Sequence, residues 1–131
     1  YRWYNFVNSS YNNKMMLTCP QKNDAFTVSD TTNGNGALTY GIGLVTTDEI
    51  VLAGGWGSSN SNYYLYSGQY YWTMSPYYAV AGYANERTVI LNGKADSYSL
   101  VINTNGARPV LNLSSEILKN GNGTASDPYH A

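Results

Sequence analysis

The sequence predicts an α+β domain with a small antiparallel sheet, long loops and one or two short helices. Hydrophobic residues make up 43% of the 131 residues and charged residues only 11%, so a core can form beneath an unusually uncharged surface. Tyr, Gly, Asn, Ser and Thr together form about half of the chain. Aromatic runs separated by turn-forming pairs, above all Asn92-Gly93, are typical of strands joined by tight hairpins.

The strongest helix signal lies in residues 46–54, TTDEIVLAG. Thr46 is a good N-cap, Asp48 and Glu49 place negative charge in the first turn, and Gly54 provides a stop. These residues predict a helix of about two turns. Residues 3–7 are a second, weaker helix candidate.

The strands follow from residue 63 onward and predict an antiparallel meander over about residues 63–113. The candidates are residues 63–66, 70–74, 87–91, 95–102 and 108–113. If Trp72 and Met74 face the core, strand alternation turns Tyr71 outward. Pro76 is expected to end that strand because it has no N–H to donate. Three tyrosines would then lie on a loop beyond it, Tyr77, Tyr78 and Tyr83.

The chain is organised as one folded domain with a tail. Residues 1–118 are predicted to form the domain, with part of it expected upstream of Tyr1, and residues 119–131 have the composition of a tail or linker. The net charge is about −1, which argues against nucleic acid as a partner. The sequence contains no apolar run of the roughly 18–20 residues needed to cross a bilayer, so direct membrane insertion of this segment is not expected.

The residues needed for most catalytic and metal chemistry are scarce. There is one cysteine, Cys19, which we interpret as a small buried hydrophobic residue, and one histidine, His130, near the end of the chain. Neither a phosphate-binding glycine motif nor a set of zinc ligands is present. We therefore expect no catalytic residues, no metal site and no cofactor. An enzyme would require convergent carboxylates in a deep pocket, which the spacing of the 8 acids does not favour.

The tyrosines carry the functional signal. Eight of the 14 lie between residues 63 and 83, among Ser, Gly and Asn. Tyrosine supplies rigid contact area at low entropic cost, and the small polar residues supply adaptable hydrogen bonds, as in evolved binding surfaces. The same tyrosines could instead serve strand packing or pairing between chains. The predicted binding face consists of Trp56, Tyr63, Tyr64, Tyr71, Tyr77, Tyr78, Tyr83, Asn85 and Arg87.

A series of motifs also resembles a known family. They occupy residues 23–28, 34–40, 42–49, 53–55, 70–76, 106–113 and 121–129, in that order. The series resembles C-type-lectin-like ectodomains of surface and pilin-like proteins from Firmicutes, whose fold is shared with formylglycine-generating enzymes and with the variable proteins of diversity-generating retroelements. The resemblance implies a twisted antiparallel sheet with a framework of Trp72 in the core, Pro76, Gly106 and an Arg108 that bridges strands or loops.

The departures from these families restrict what the resemblance implies for this chain. The cysteine pair of formylglycine-generating enzymes is missing, and so are the calcium and sugar motifs of animal C-type lectins. In the variable proteins of retroelements, the diversified positions mix Asn, Tyr, Ser, Gly and Asp. Six positions of this chain would suit such diversification. These are Tyr71, Tyr77, Tyr78, Tyr83, Asn85 and Asp96.

Together these observations predict a non-enzymatic ligand-binding or adhesion module on a bacterial surface or phage particle. Its ligand would be a protein or a glycan, and its recognition face would be rich in Tyr, Asn and Ser. The alternative is a structural subunit or stalk module of a surface filament such as a pilus. In that case the tyrosines would lie at contacts between subunits, and the domain would self-assemble.

Overall fold

The computed structural model describes residues 17–19, 21–55, 58–95, 97–113 and 119–130. Over these residues the chain forms one α-helix, a single 3-10 turn at Lys22–Asp24 and two antiparallel sheets, which confirms the predicted α+β class. The elements are β1 (Ile42–Leu44), α1 (Thr47–Leu52), β2 (Tyr71–Val80), β3 (Tyr83–Val89), β4 (Ser97–Leu100) and β5 (Pro109–Leu111).

Helix α1 forms where its capping signals predict it. The Thr46 hydroxyl accepts a hydrogen bond from the Glu49 N–H at 3.2 Å, and a Glu49 carboxylate oxygen accepts one from the Thr46 N–H at 2.7 Å. This reciprocal pair is a capping box, which satisfies two N–H groups that the first turn leaves without partners. Gly54 follows the helix at φ +109°, a conformation that side chains disfavour.

Strands β2, β3 and β4 form an antiparallel meander, which is the middle part of the one predicted over residues 63–113. In β3–β4, Arg87 lies opposite Tyr98 and Asn85 opposite Leu100, the register that results from counting outward from Asn92-Gly93. The turn between β2 and β3 contains Gly82 at φ +98°. Strand β2 runs through Pro76 to Val80, so the prediction that it ends at Pro76 was wrong.

Strand β5 leaves this meander. It pairs with β1, with Ile42 opposite Leu111, and so forms a separate two-stranded sheet. The two sheets are connected by the N–H of Met74, which donates to the Val45 carbonyl at 2.9 Å. Residues 63–66 were predicted as a strand but form a turn, closed by the Tyr66 N–H on the Tyr63 carbonyl.

The core lies between α1, the loop before β2 and the end of the β2–β3 pair at which Tyr71 lies opposite Val89. Its buried residues are Val45, Ile50, Tyr63, Tyr71, Val89 and Ala95. Thr73 and Thr88 are also buried, and the Thr73 hydroxyl donates to the Arg87 carbonyl at 3.0 Å. Hydroxyls on β2 also hold the helix in place, since the Thr47 N–H donates to the Ser75 hydroxyl.

The helix candidate at residues 3–7 lies outside the described residues. In the C-terminal segment, Asn120 and His130 form an antiparallel bridge, so residues 120–130 fold back on themselves.

Within the described ranges, no helix has the length and apolar character needed to span a bilayer. Cys19 was expected to be buried but is exposed; its thiol bonds to the nearby Gln21 carbonyl.

Candidate functional site

Four tyrosines meet at the end of the larger sheet away from the core. We call Tyr77, Tyr78, Tyr83 and Tyr98 the tyrosine cluster. The rings of Tyr77 and Tyr98 are stacked, with centroids 4.2 Å apart and planes 10° from parallel. Tyr78 meets Tyr77 edge to face at 4.9 Å and Tyr83 at 6.1 Å, so the four rings form one continuous aromatic surface.

A β-bulge places two consecutive tyrosines on the same side of the sheet. Tyr78 pairs with Asn85 and Pro76 with Glu86, so the register shifts by one residue and Tyr77 is the extra residue of the bulge. In a regular strand neighbouring side chains point to opposite faces, but a bulge removes that alternation locally. The rings of Tyr77 and Tyr78 therefore contact each other. The prediction that these tyrosines and Tyr83 lie on a loop was wrong, because both strands of the hairpin continue through them.

Arg87 and Asn85 lie beneath the tyrosine cluster. Arg87 is only 2% exposed, and its guanidinium carbon lies 4.5 Å from the Tyr77 ring centre. Asn85 is 5% exposed and is the cross-strand partner of Tyr78. Both were predicted as contact residues of the binding face. Their burial instead makes them supports, and the cation–π contact of Arg87 holds the Tyr77 ring in place.

Two other residues of the predicted binding face belong to the core. Tyr71 is 3% exposed, and its hydroxyl donates to the Leu65 carbonyl at 2.9 Å. The Tyr63 hydroxyl donates to the Gly93 carbonyl at 2.7 Å. Burial raises the pKa of both hydroxyls above the ordinary value for tyrosine. The expected outward orientation of Tyr71 was wrong, because its pairing with Val89 turns it inward and Met74 outward.

The remaining predicted residues of the binding face lie elsewhere. Tyr64 is strongly exposed on the loop before β2. Its ring takes part in none of the aromatic contacts found among the described residues. Trp56 lies outside the described residues, as does Asp96 from the set of diversifiable positions. The structure therefore brings together Tyr77, Tyr78 and Tyr83, over Asn85 and Arg87, and does not bring Tyr63, Tyr64 or Tyr71 to this surface.

Among the framework residues, Arg108 and Gly106 both contact the start of β2 or the loop before it. The Arg108 guanidinium donates to the Leu65 carbonyl and lies 5.4 Å from the Tyr71 ring centre. The Gly106 N–H donates to the Tyr70 carbonyl at 3.0 Å, and a Cβ at this glycine would come within 2.9 Å of that oxygen. Trp72, expected in the core, is half-buried because it faces the other side of β2 from Tyr71. Pro76 lies in the irregular part of β2, where the ladder shifts register on either side of it.

Tyr98 belongs to the tyrosine cluster but was absent from the predicted binding face. Its ring is 52% exposed and contacts both Tyr77 and Tyr78. The signal that could have identified it is the Asn92-Gly93 turn, since counting outward from this pair places Tyr98 opposite Arg87. Alternation from Arg87 then brings Tyr98 to the same face as Tyr83.

The tyrosine cluster presents aromatic faces and phenolic hydroxyls. A side-chain hydrogen bond with Tyr83 raises the pKa of the Tyr78 hydroxyl, so this group stays protonated in neutral solution. In the part of the chain that the structure describes, no three His, Cys, Asp or Glu residues lie together as a metal site would require. This surface can offer stacking and neutral hydrogen bonds.

We compared the chain with protein-family models, with curated proteins and with solved structures, and none of the three comparisons found a match.

Proposed function

We propose that this domain is a non-enzymatic ligand-binding or adhesion module that recognises a protein or glycan with its tyrosine cluster. The observation that carries the proposal is the continuous contact of four partly exposed tyrosine rings at one end of the sheet. Exposed aromatic groups gathered in one place are characteristic of interaction sites, whereas scattered ones are ordinary.

The rings are held in place before any ligand arrives. Tyr77 packs against the Tyr98 ring and the buried Arg87 guanidinium, and Tyr78 is in contact with two further rings. A ligand that meets fixed side chains does not have to pay for ordering them, which favours tight binding. Tyrosine is also enriched among the residues that dominate binding energy.

The residues around the tyrosine cluster suit a ligand surface that is uncharged or that combines apolar and polar groups. The exposed Val80 lies opposite Tyr83, and Leu100 lies opposite Asn85, so apolar side chains border the rings. Flat rings with hydroxyls at their rims can stack on the apolar face of a sugar or pack against protein side chains while still donating hydrogen bonds.

The proposal includes a C-type-lectin-like fold for the domain and its display outside the cell. The motif series supports a C-type-lectin-like fold, and low charge with abundant Tyr, Asn, Ser and Thr supports display on a bacterial surface or phage particle. In this setting the sheet is a scaffold, and the tyrosine cluster at its end is the part that meets the ligand.

Binding of cluster variants to a defined panel tests the proposal. The wild-type domain, Tyr83→Ser and Tyr98→Ser would be applied to immobilised glycans and to intact bacterial and animal cells. Tyr64→Ser is the matched control, because Tyr64 is more exposed than either cluster residue yet lies outside the cluster. We expect binding that falls at least about tenfold in both cluster variants and is unchanged in the control, with equal melting temperatures throughout.

Two results would overturn the proposal. One is binding that survives both cluster substitutions. The other is an absence of binding across the panel, together with concentration-dependent assembly in sedimentation experiments that Tyr98→Ser abolishes. The second result would assign the tyrosines to contacts between subunits of a filament.

A further inference from the structure

A second surface lies on the opposite side of the larger sheet from the tyrosine cluster. It is a groove of about 330 Å³ between the two sheets, which we call the carboxylate groove. Its lining consists of Leu44, Trp72, Thr73, Met74, Glu86 and Val101. Glu86 follows Asn85 and precedes Arg87 on β3, so alternation turns its side chain away from the cluster and into this groove.

Glu86 is an acid in apolar surroundings. Its cross-strand partners are Pro76 and Ser99, and its neighbours in the groove include an indole, a thioether and two aliphatic side chains. Across the described ranges, no hydrogen bond or ion pair of the Glu86 carboxylate accompanies this burial. Desolvation raises the pKa of Glu86 to about 7, so roughly half of the carboxylates are ionised in neutral solution and nearly all above about pH 8.

A half-buried carboxylate in an apolar groove attracts a cation more strongly than an exposed one, because water screens the attraction less. Trp72 adds to this attraction, since indole is the best of the aromatic side chains at binding cations over its face. Leu44, Met74 and Val101 offer apolar contact to a hydrocarbon stem. A neutral ligand would leave the Glu86 charge without compensation, and an anion would be repelled by it.

We propose that the carboxylate groove binds an organic cation, consisting of an ammonium group on a short apolar stem. Glu86 pairs with the ammonium group, Trp72 contacts its positive charge, and the aliphatic side chains enclose the stem. The same chemistry is offered by the lysine side chain of a partner protein and by a free alkylamine. This site is separate from the tyrosine cluster and does not rest on the function proposed for that surface.

Titration with small probes tests this assignment. The Trp72 indole N–H would be followed by NMR while n-butylammonium, the neutral 1-butanol or the anionic butyrate is added at about pH 8. We expect butylammonium to bind at least about tenfold more tightly than butanol, and butyrate to be the weakest of the three. In Glu86→Gln the preference for butylammonium over butanol should fall to within about twofold, because the shape remains and the charge is gone.

The pH dependence provides a second readout. The other lining residues, from β1, from β2 and from the segment after β4, carry no titratable group, so Glu86 alone governs it. Affinity for butylammonium should fall as the pH is lowered through about 7, while affinity for butanol stays level. Glu86→Gln should show no such dependence, and Tyr98→Ser, on the other face, should bind like the wild type.

A peptide arm distinguishes the two sources of the cation. A short peptide with one central lysine should bind more tightly than butylammonium if the groove serves a protein partner, and no more tightly if it serves a free amine. Equal affinity for butylammonium and butanol in the wild-type domain would overturn the proposal. So would a preference for butylammonium that persists in Glu86→Gln when that variant melts cooperatively.

Discussion

Removing the Tyr63 hydroxyl should destabilise the domain by about 2 kcal/mol. The Tyr63 ring is buried, and its hydroxyl donates to the Gly93 carbonyl at 2.7 Å. In Tyr63→Phe the ring remains, but the carbonyl loses its donor in a place that water does not readily reach. Leaving a buried acceptor unsatisfied costs roughly 1–3 kcal/mol. For a chain of this length, each kcal/mol lowers Tm by about 3–5 °C, so a decrease of about 6–10 °C is expected.

Thermal unfolding followed by circular dichroism measures this difference, and Tyr64→Phe is the matched control. Tyr64 is the next residue, yet it is 80% exposed, so loss of its hydroxyl should change stability by less than about 0.5 kcal/mol. If the two variants melted at the same temperature, Tyr63 would not be a core residue. The separation of core tyrosines from surface tyrosines would then fail.

Three further predictions concern the helix cap, the hairpin turns and Glu86. Thr46→Ala should lower the unfolding free energy by about 1 kcal/mol in urea titrations, because the helix loses its capping box; an unchanged midpoint would refute the cap. Gly93→Ala should destabilise the domain more than Gly82→Ala, since both have positive φ but only at Gly93 would a Cβ collide with the backbone, 2.1 Å from the Asn60 oxygen; equal melting temperatures would contradict this. Because folding raises the pKa of Glu86 from about 4.5 to about 7, the stability that its protonated form provides is lost as pH rises through that window. Glu86→Gln should therefore raise Tm at pH 8 more than at pH 4, and an equal effect at both values would contradict the shift.

Local signals in the sequence were sufficient to predict helix α1 and the hairpin of β3 and β4. The capping box of Thr46 and Glu49 is formed by residues three apart, so no distant contact is needed to specify it. The Asn92-Gly93 pair likewise fixes the register of the strands on either side. Such features depend on near neighbours in the chain, which the sequence displays directly.

Features decided by distant contacts were not predicted. Alternation in residues 70–74 allows either face to be the inner one, and the choice is made by the pairing of Tyr71 with Val89. The bulge at Tyr77 also depends on pairing across strands, so the tyrosine cluster was only partly anticipated. The pairing of β5 with β1 brings together residues almost 70 positions apart, a choice that no local pattern specifies.

Residue-resolved labelling of the tyrosines is the most direct test of the central claim, that a surface cluster of tyrosines is distinct from those of the core. The folded domain would be nitrated under mild conditions and the modified positions quantified by mass spectrometry, with the unfolded chain as reference. We predict that Tyr64, Tyr83 and Tyr98 react readily and that Tyr63 and Tyr71 react at least about tenfold more slowly, in line with their burial. Reaction of Tyr71 as fast as Tyr98, or protection of Tyr83 and Tyr98 in the isolated domain, would contradict the account.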